Sequence, residues 1–301
     1  MRANRCFRAV LFDFDHTLFR FDDSIEWLHV ALDRLDHTVE PAEMRALYER
    51  IEAARSWPEV LDEQRGCQRS RTTHQRALAS WFSRAGVAGA VADALYQRLT
   101  DPDGWTPYSD VVRTVTALHD SGVPIAVVSN VGWDIRPTFE HHGLGGLVAT
   151  FALSCEHGSE KPEPTLFLAA CAELGIEPND VLMVGDDPVN DGAAVKVGMH
   201  VYLLPDRSLG GCRGLGPVFD VVHAACSRID SPPWEGSVPN PRVTGRHGPA
   251  DDDRCPSDVN IHVVGQMTGS WAAREVVSGA DHGRVRSFVG GRVVLISGRV
   301  V

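Results

Sequence analysis

The chain has 301 residues, 43% hydrophobic and 23% charged, which is ordinary globular composition and excludes a fibrous or wholly disordered protein. Its 40 acidic residues outnumber 29 basic ones, for a formal net charge of -11, and a surface of that sign repels phosphate backbones, so nucleic acid is not expected as the main ligand. No segment approaches the roughly 20 consecutive apolar residues of a membrane span; the 7 cysteines are odd in number and scattered, which favours reduced, mostly buried thiols in a soluble cytoplasmic protein over a disulfide framework or zinc site.

At the N-terminus, Arg2, Arg5 and Arg8 precede an apolar run that Asp13 cuts short, far too brief for a signal-peptide core. Arg8 to Phe12 reads as a strand buried on both faces, because an apolar run ends abruptly in charge. The period then turns helical. Ile25, Leu28, Leu32 and Leu35 follow a capping cluster at Asp22, Asp23 and Ser24, and further apolar stripes run through Met44–Ile51, Leu78–Phe82 and Val91–Leu99. Four helices between about residues 20 and 100 predict a small bundle.

Past the D-P-D-G turn at Asp101–Gly104, helices and strands alternate. A helix through Val111–Leu118 precedes a strand at Val123–Val128 that ends on Ser129 and Asn130. A helix over Ile135–His142, a strand over Ala149–Leu153 and a helix over Pro164–Leu174 come next. The series closes with a strand at Val181–Val184 that ends on Gly185 and Asp186, a helix over Asn190–Val197 and a strand over Val201–Leu204. This order predicts an α/β fold with a doubly wound parallel sheet, whose ligand crevice lies at the carboxyl ends of the strands. Asp13, Ser129 and Asp186 all fall there. The expected organisation is a core of residues 1–20 and 102–225, a helical insert over 21–101, a Pro/Gly/Asp-rich linker over 226–260 and a C-terminal extension over 261–301 with a few short apolar runs.

Within F-D-F-D-H-T-L-F at Phe12–Phe19, extended backbone puts Asp13 and Asp15 on one side and Phe14 on the other. Two carboxylates so close repel, and a cation is needed if both are to stay ionised. The cap-region stretch Arg65, Arg69, Arg71, His74 and Arg76 reads first as a solvated face; one or two of its members facing an anionic substrate is the sharper alternative. Trp27 and His16 stand beside the first motif, with packing of the insert the commoner fate of such a tryptophan. His223, His247, Cys255 and His262 lack metal-ligand spacing.

From Arg8 to Val222 the sequence resembles the haloacid dehalogenase superfamily. D-F-D-H-T at Asp13–Thr17, Ser129 in V-V-S-N, Lys161 in E-K-P-E-P and V-G-D-D-P-V-N-D at Val184–Asp191 occur in order on strand ends, and the helical insert looks like that family's cap. The resemblance implies that Asp13 is a nucleophile passing through an aspartyl-phosphate and that Asp15 is general acid and then base. It implies that Ser129 and the Asn130 backbone bind phosphoryl oxygens and that Lys161 offsets transition-state charge. Mg²⁺ would be held by Asp13, the Asp15 carbonyl, Asp186 and Asp191, with Asp187 a capping residue or a further acid.

Family members that dehalogenate lack the second aspartate, so Asp15 points to phosphoryl transfer. The expectation is a Mg²⁺-dependent phosphatase acting on a small phosphorylated metabolite. A sugar phosphomutase using the same site and a non-catalytic binding or regulatory module are the alternatives.

Overall fold

The computed structural model describes residues 7–22, 24–204 and 211–223 in full, and the backbone of residues 259–263 and 293–298. Strand β1 (Ala9–Phe12) opens the chain and β2 (Phe19–Phe21) follows at once. Helices α1 (Ile25–Asp33), α2 (Pro41–Arg55), α3 (Pro58–Gln64), α4 (Arg71–Arg84) and α5 (Ala90–Thr100) come next. Strand β3 (Trp105–Pro107) then returns antiparallel to β2. The remainder alternates: α6 (Val111–Asp120), β4 (Ile125–Ser129), α7 (Arg136–His141), β5 (Thr150–Leu153), α8 (Ser154–His157), α9 (Thr165–Leu174), β6 (Val181–Gly185), β7 (His200–Leu203) and α10 (Gly216–His223).

The strands β5-β4-β1-β6-β7 form a parallel sheet with β1 at its centre. The doubly wound architecture read from the sequence is what the chain adopts, and its cause is visible in the alternation. Val10, Phe12, Ile125, Val127, Leu182 and Val184 point into one core with α6, α7 and α10. Their neighbours Ala9, Leu11, Ala126, Val128, Val181 and Met183 point into the other, against α9. A sheet covered on both faces has no polar face to offer, so these strands are continuous apolar runs. Beyond β7 the backbone strands β9 (Val293–Gly298), parallel to β7, and β8 (Val259–Val263), antiparallel to β9, extend the sheet.

Helices α1 to α5 enclose a separate apolar cluster. Ser24 caps α1 by accepting from the Glu26 amide, Pro41 fills the first turn of α2 where an amide donor has no partner, and Ser70 caps α4 through the Thr73 amide. Trp27 is stacked on Trp81 at 6.3 Å inside this cluster and donates to the Leu95 carbonyl, so it packs the insert and does not line an entrance.

Three expectations change. The insert has five helices among the described residues, because α3, one short turn pair after Pro58, lacks the apolar stripe that marks its neighbours. Residues Gly192–Val197 form a 3-10 helix in place of the α-helix expected over 190–197, closed at Gly198 in a left-handed conformation with φ 95°. Cys212 is disulfide-bonded, whereas Cys67, Cys155 and Cys171 are free; cysteine spacing along a chain does not reveal which thiols folding brings together. The expected linker up to residue 258 lies outside the described residues.

The insert meets the core at α4. His74, 4% exposed, packs its ring 5.3 Å from that of Trp133, just past the end of β4. The contact is close enough that a Cβ on Gly132 would lie 2.1 Å from the His74 ring, so only glycine fits there. Burial pushes the His74 imidazole down to about 4. The unfolded chain therefore takes up a proton below about pH 6.5 that the folded chain refuses, and stability falls as pH drops from there towards 4. At pH 4 the parent should have lost about 3 kcal/mol more than a His74→Leu variant, relative to pH 7. Urea unfolding of both proteins across that range measures the difference, and parallel pH curves would contradict the assignment.

Candidate active site

The sheet order reverses at β1, since the chain builds outward to β4 and β5 on one side and then crosses to β6 and β7 on the other. Crossovers that diverge from a central strand leave a crevice at its carboxyl end. Asp13 is the first residue past β1, and its amide donates to the Val184 carbonyl of β6 at 2.9 Å, which fixes the residue across the sheet. Phe14 is buried against Phe19, Trp105 and Phe139, as the alternation requires. His16 follows with φ 56°, and the turn closes when its amide donates to the Phe19 carbonyl. Asp15 sits in this turn with its side chain 47% exposed.

Lys161 comes from the loop after α8 and is buried. Its ammonium donates to Asp13 Oδ1 at 2.7 Å and to Asp191 Oδ1 at 2.6 Å. The lysine backbone is gripped in turn by Asn130, whose Oδ1 accepts from the Lys161 amide at 2.7 Å while its Nδ2 donates to the Lys161 carbonyl at 2.9 Å. The side chain that follows β4 thus aims a residue 31 positions away. Ser129, the last residue of β4, is 2% exposed beside it.

Asp191 is fully buried and braces the loop after β6. Its Oδ2 accepts from the amides of Asp186 and Asp187, each at 3.0 Å. Gly185 makes room for this carboxylate, since a Cβ there would lie 2.1 Å from Asp191 Oδ2. Asp186 accepts from the Thr17 hydroxyl at 3.2 Å. Asp187 is spent locally, its carboxylate receiving the Val189 and Asn190 amides and the Asn190 side chain. It serves as a turn cap.

Asp13, Asp186 and Asp191 each offer a carboxylate oxygen, and these lie within 4.8 Å of one another. Burial pushes the Asp13 and Asp191 carboxyls up against the pull of Lys161, and burial followed by the charge of Asp191 raises Asp186. For Lys161, burial alone would lower the ammonium, but the two carboxylates outweigh it and hold it protonated. Burial thus raises the carboxyls while the carboxylates keep the lysine charged, and three acids share one ammonium and, at Asp186, the Arg213 guanidinium. The residual negative charge and the all-oxygen donor set suit a hard divalent cation such as Mg²⁺.

Of the residues singled out in the sequence, Asp13, Lys161, Asp186 and Asp191 come together as a bonded cluster, with Ser129 and Asn130 at the adjacent strand end. The basic stretch of the insert disperses. Arg69 pairs with Glu163 at 2.5 Å, Arg65 with Asp62 at 3.6 Å, and His74 is buried. Arg213 gave no signal in the sequence, standing alone in G-C-R-G-L-G, yet its guanidinium is buried and reaches the His16 carbonyl and the Asp186 carboxylate. The partner roles of Thr17 and Gly185 were equally silent, because a hydroxyl or a missing side chain has no pattern of its own.

A family model described as haloacid dehalogenase-like hydrolase matches residues 7–198. Phosphoglycolate phosphatase 1 of Pseudomonas aeruginosa is 29% identical over 64% of this chain and 67% of its own. The haloacid dehalogenase-like hydrolase domain-containing protein 3 of Mus musculus is 30% identical over 45% of this chain; the match spans 56% of that relative's length, little more than half. Among solved structures, L-2-haloacid dehalogenase from Xanthobacter autotrophicus with chloropropionic acid covalently bound aligns with TM-score 0.50 and 19% identity over 68% of this chain and 80% of that one, a likeness of fold.

Gly185→Ala tests the packing of the cluster. The added methyl displaces Asp191, which costs its bonds to Lys161 and to two amides, and a loss of about 2 kcal/mol or more in urea unfolding is expected. A variant as stable as the parent would show that Asp191 has room the structure denies it.

Proposed function

Because the chain belongs to the haloacid dehalogenase-like hydrolase family, we propose that it is a Mg²⁺-dependent phosphatase that hydrolyses a small phosphorylated metabolite through an aspartyl-phosphate. The observation that carries this reading is the Lys161 ammonium held between Asp13 and Asp191, with a second acid, Asp15, two residues beyond the first. A relative named for phosphoglycolate and others named for hexitol and glyceraldehyde 3-phosphate support a small phosphate ester as the substrate class.

Asp13 Oδ attacks phosphorus, a new O–P bond forms, and the bond from phosphorus to the ester oxygen breaks. The carboxyl of Asp15 gives its proton to that leaving oxygen. A water then attacks the phosphoryl-aspartate, Asp15 takes its proton, and inorganic phosphate departs as Asp13 is regenerated. Lys161 keeps Asp13 ionised and faces the phosphoryl oxygens with positive charge, while the Ser129 hydroxyl and the Asn130 amide bind them. Asp13, Asp186, Asp191 and the Asp15 carbonyl would hold Mg²⁺, which when bound supplies charge neutralisation for the approach of one anion to another.

The helical insert acts as a cap. Its contacts support this: Arg69 pairs with Glu163, the Ser154 hydroxyl donates to the Gln68 carbonyl at 2.8 Å, and Glu160 accepts from the Gln68 and Arg69 amides. Glu160 and Glu163 flank Lys161 in the chain and Ser154 opens α8 just before that loop, so the insert docks on α8 and the loop that carries the lysine.

Purified protein assayed against an aryl phosphate and a panel of sugar, nucleotide and short-acid phosphates should release inorganic phosphate with Mg²⁺ and none with a chelator. Asp13→Asn should lower turnover by about 10⁴-fold or more, the scale of losing a nucleophile, in a protein that circular dichroism shows still folded. Isomerised product without free phosphate would replace hydrolysis by phosphoryl transfer within the substrate. Wild-type rates in Asp13→Asn would remove the nucleophile from the scheme.

A further inference from the structure

Arg213 is 3% exposed, an unusual position for a guanidinium unless its charge and donors are matched. Its backbone is tied first. The buried carboxylate of Asp110, at the start of α6, accepts from the amides of Arg213 at 2.9 Å, Gly214 at 2.8 Å and Leu215 at 2.7 Å. Ser109 adds a bond from its amide to the Gly211 carbonyl at 3.0 Å. The segment is therefore anchored to the body of the fold, and Arg213 projects from a fixed base.

Its side chain then spans two parts of the site. Nε donates to the His16 carbonyl, and Nη2 lies 3.8 Å from Asp186 Oδ2. The guanidinium carbon lies over the Tyr108 ring, 5.8 Å from its centroid. His16 is the residue with positive φ that follows Asp15, and Asp186 is the acid that ends β6. One rigid fork thus connects the turn that presents Asp15 with the carboxylate of Asp186. Lysine could reach either partner, but a single point charge cannot hold both.

We propose that Arg213 is a positioning residue for hydrolysis: it fixes the Asp15–His16 turn against Asp186 and orients that carboxylate for the divalent cation. The inference rests on the phosphatase reading given above. It also differs from a simple charge effect in sign. A guanidinium beside a ligand carboxylate repels a divalent cation, so if charge were its only contribution, its removal would tighten Mg²⁺ binding. A positioning role predicts weaker binding.

The test uses the full chain, Arg213→Lys and Arg213→Ala. Mg²⁺ binding is followed by calorimetry without substrate, and kcat and KM with an aryl phosphate. Both variants should lose about 10- to 100-fold in kcat, bind Mg²⁺ more weakly, and keep KM within about threefold, the scale seen when groups that orient metal ligands are removed. Guanidinium chloride at millimolar concentration should restore part of the Arg213→Ala rate, which general loosening of the fold would not allow. If Arg213→Ala fails to fold, Arg213→Lys decides, since it keeps length and charge. Parental kcat and Mg²⁺ affinity in a folded Arg213→Lys, tighter Mg²⁺ binding in either variant, or a loss that guanidinium does not relieve would each overturn the assignment. Mg²⁺ binding is read without turnover, so an inactive parent that binds the metal refutes the phosphatase reading and leaves the positioning of Asp186 separately measurable.

Discussion

The Lys161 ammonium lies buried between Asp13 and Asp191, and most of the site's construction follows from the cost of keeping it there. Removing these charges from water is expensive, and their attraction compensates only when geometry is tight and the remaining lone pairs are satisfied. The chain meets that condition with fixed partners. Asn130 clamps the lysine backbone with two bonds, two amides occupy the second oxygen of Asp191, and Gly185 leaves the space that oxygen needs. The carboxylate charge that Lys161 and Arg213 leave uncompensated is what suits the cluster to a divalent cation.

The sheet makes this assembly possible. Asp13, Ser129 and Asp186 arrive at one edge because β1, β4 and β6 are parallel neighbours, in register from Phe12 through Val127 and Val184. Parallel strands need crossovers, and the crossovers carry the remaining parts: the loop after α8 delivers Lys161, and the loop after β6 delivers Asp191. The insert between β2 and β3 has its own apolar cluster, yet it is pinned to the core at His74 and at the acidic residues around Lys161. The insert therefore packs against the surface that places the lysine.

Much of the fold was legible because burial writes itself into sequence as period. Apolar runs of β1, β4 and β6 and the helical stripes of α1, α4 and α9 stand out against charged ends. Elements with little burial of their own did not. Strands β2 and β3 are three residues each and exist because they pair with one another, α3 is a short turn after a proline, and the 3-10 geometry at Gly192–Val197 is set by what surrounds it. The disulfide at Cys212 belongs to the same group, being a fact about proximity and not about spacing.

By itself the sequence determined the doubly wound sheet, the helical insert, and the placement of Asp13, Ser129, Lys161 and Asp186 at strand ends or the loops beside them, because each depends on local periodicity and on where charge interrupts it. Only the tertiary structure decided that Asn130 spends its side chain on the Lys161 backbone, that Asp187 caps a turn while Asp191 holds the lysine, and that Arg69 pairs with Glu163. It alone brought Arg213 from the far end of the domain to the His16 carbonyl and Asp186. Apart from the local cap at Asp187, these are contacts between residues tens to nearly two hundred positions apart. Hydrogen bonds and ion pairs act over a few ångströms of space, and no period along the chain encodes which distant residues will share it.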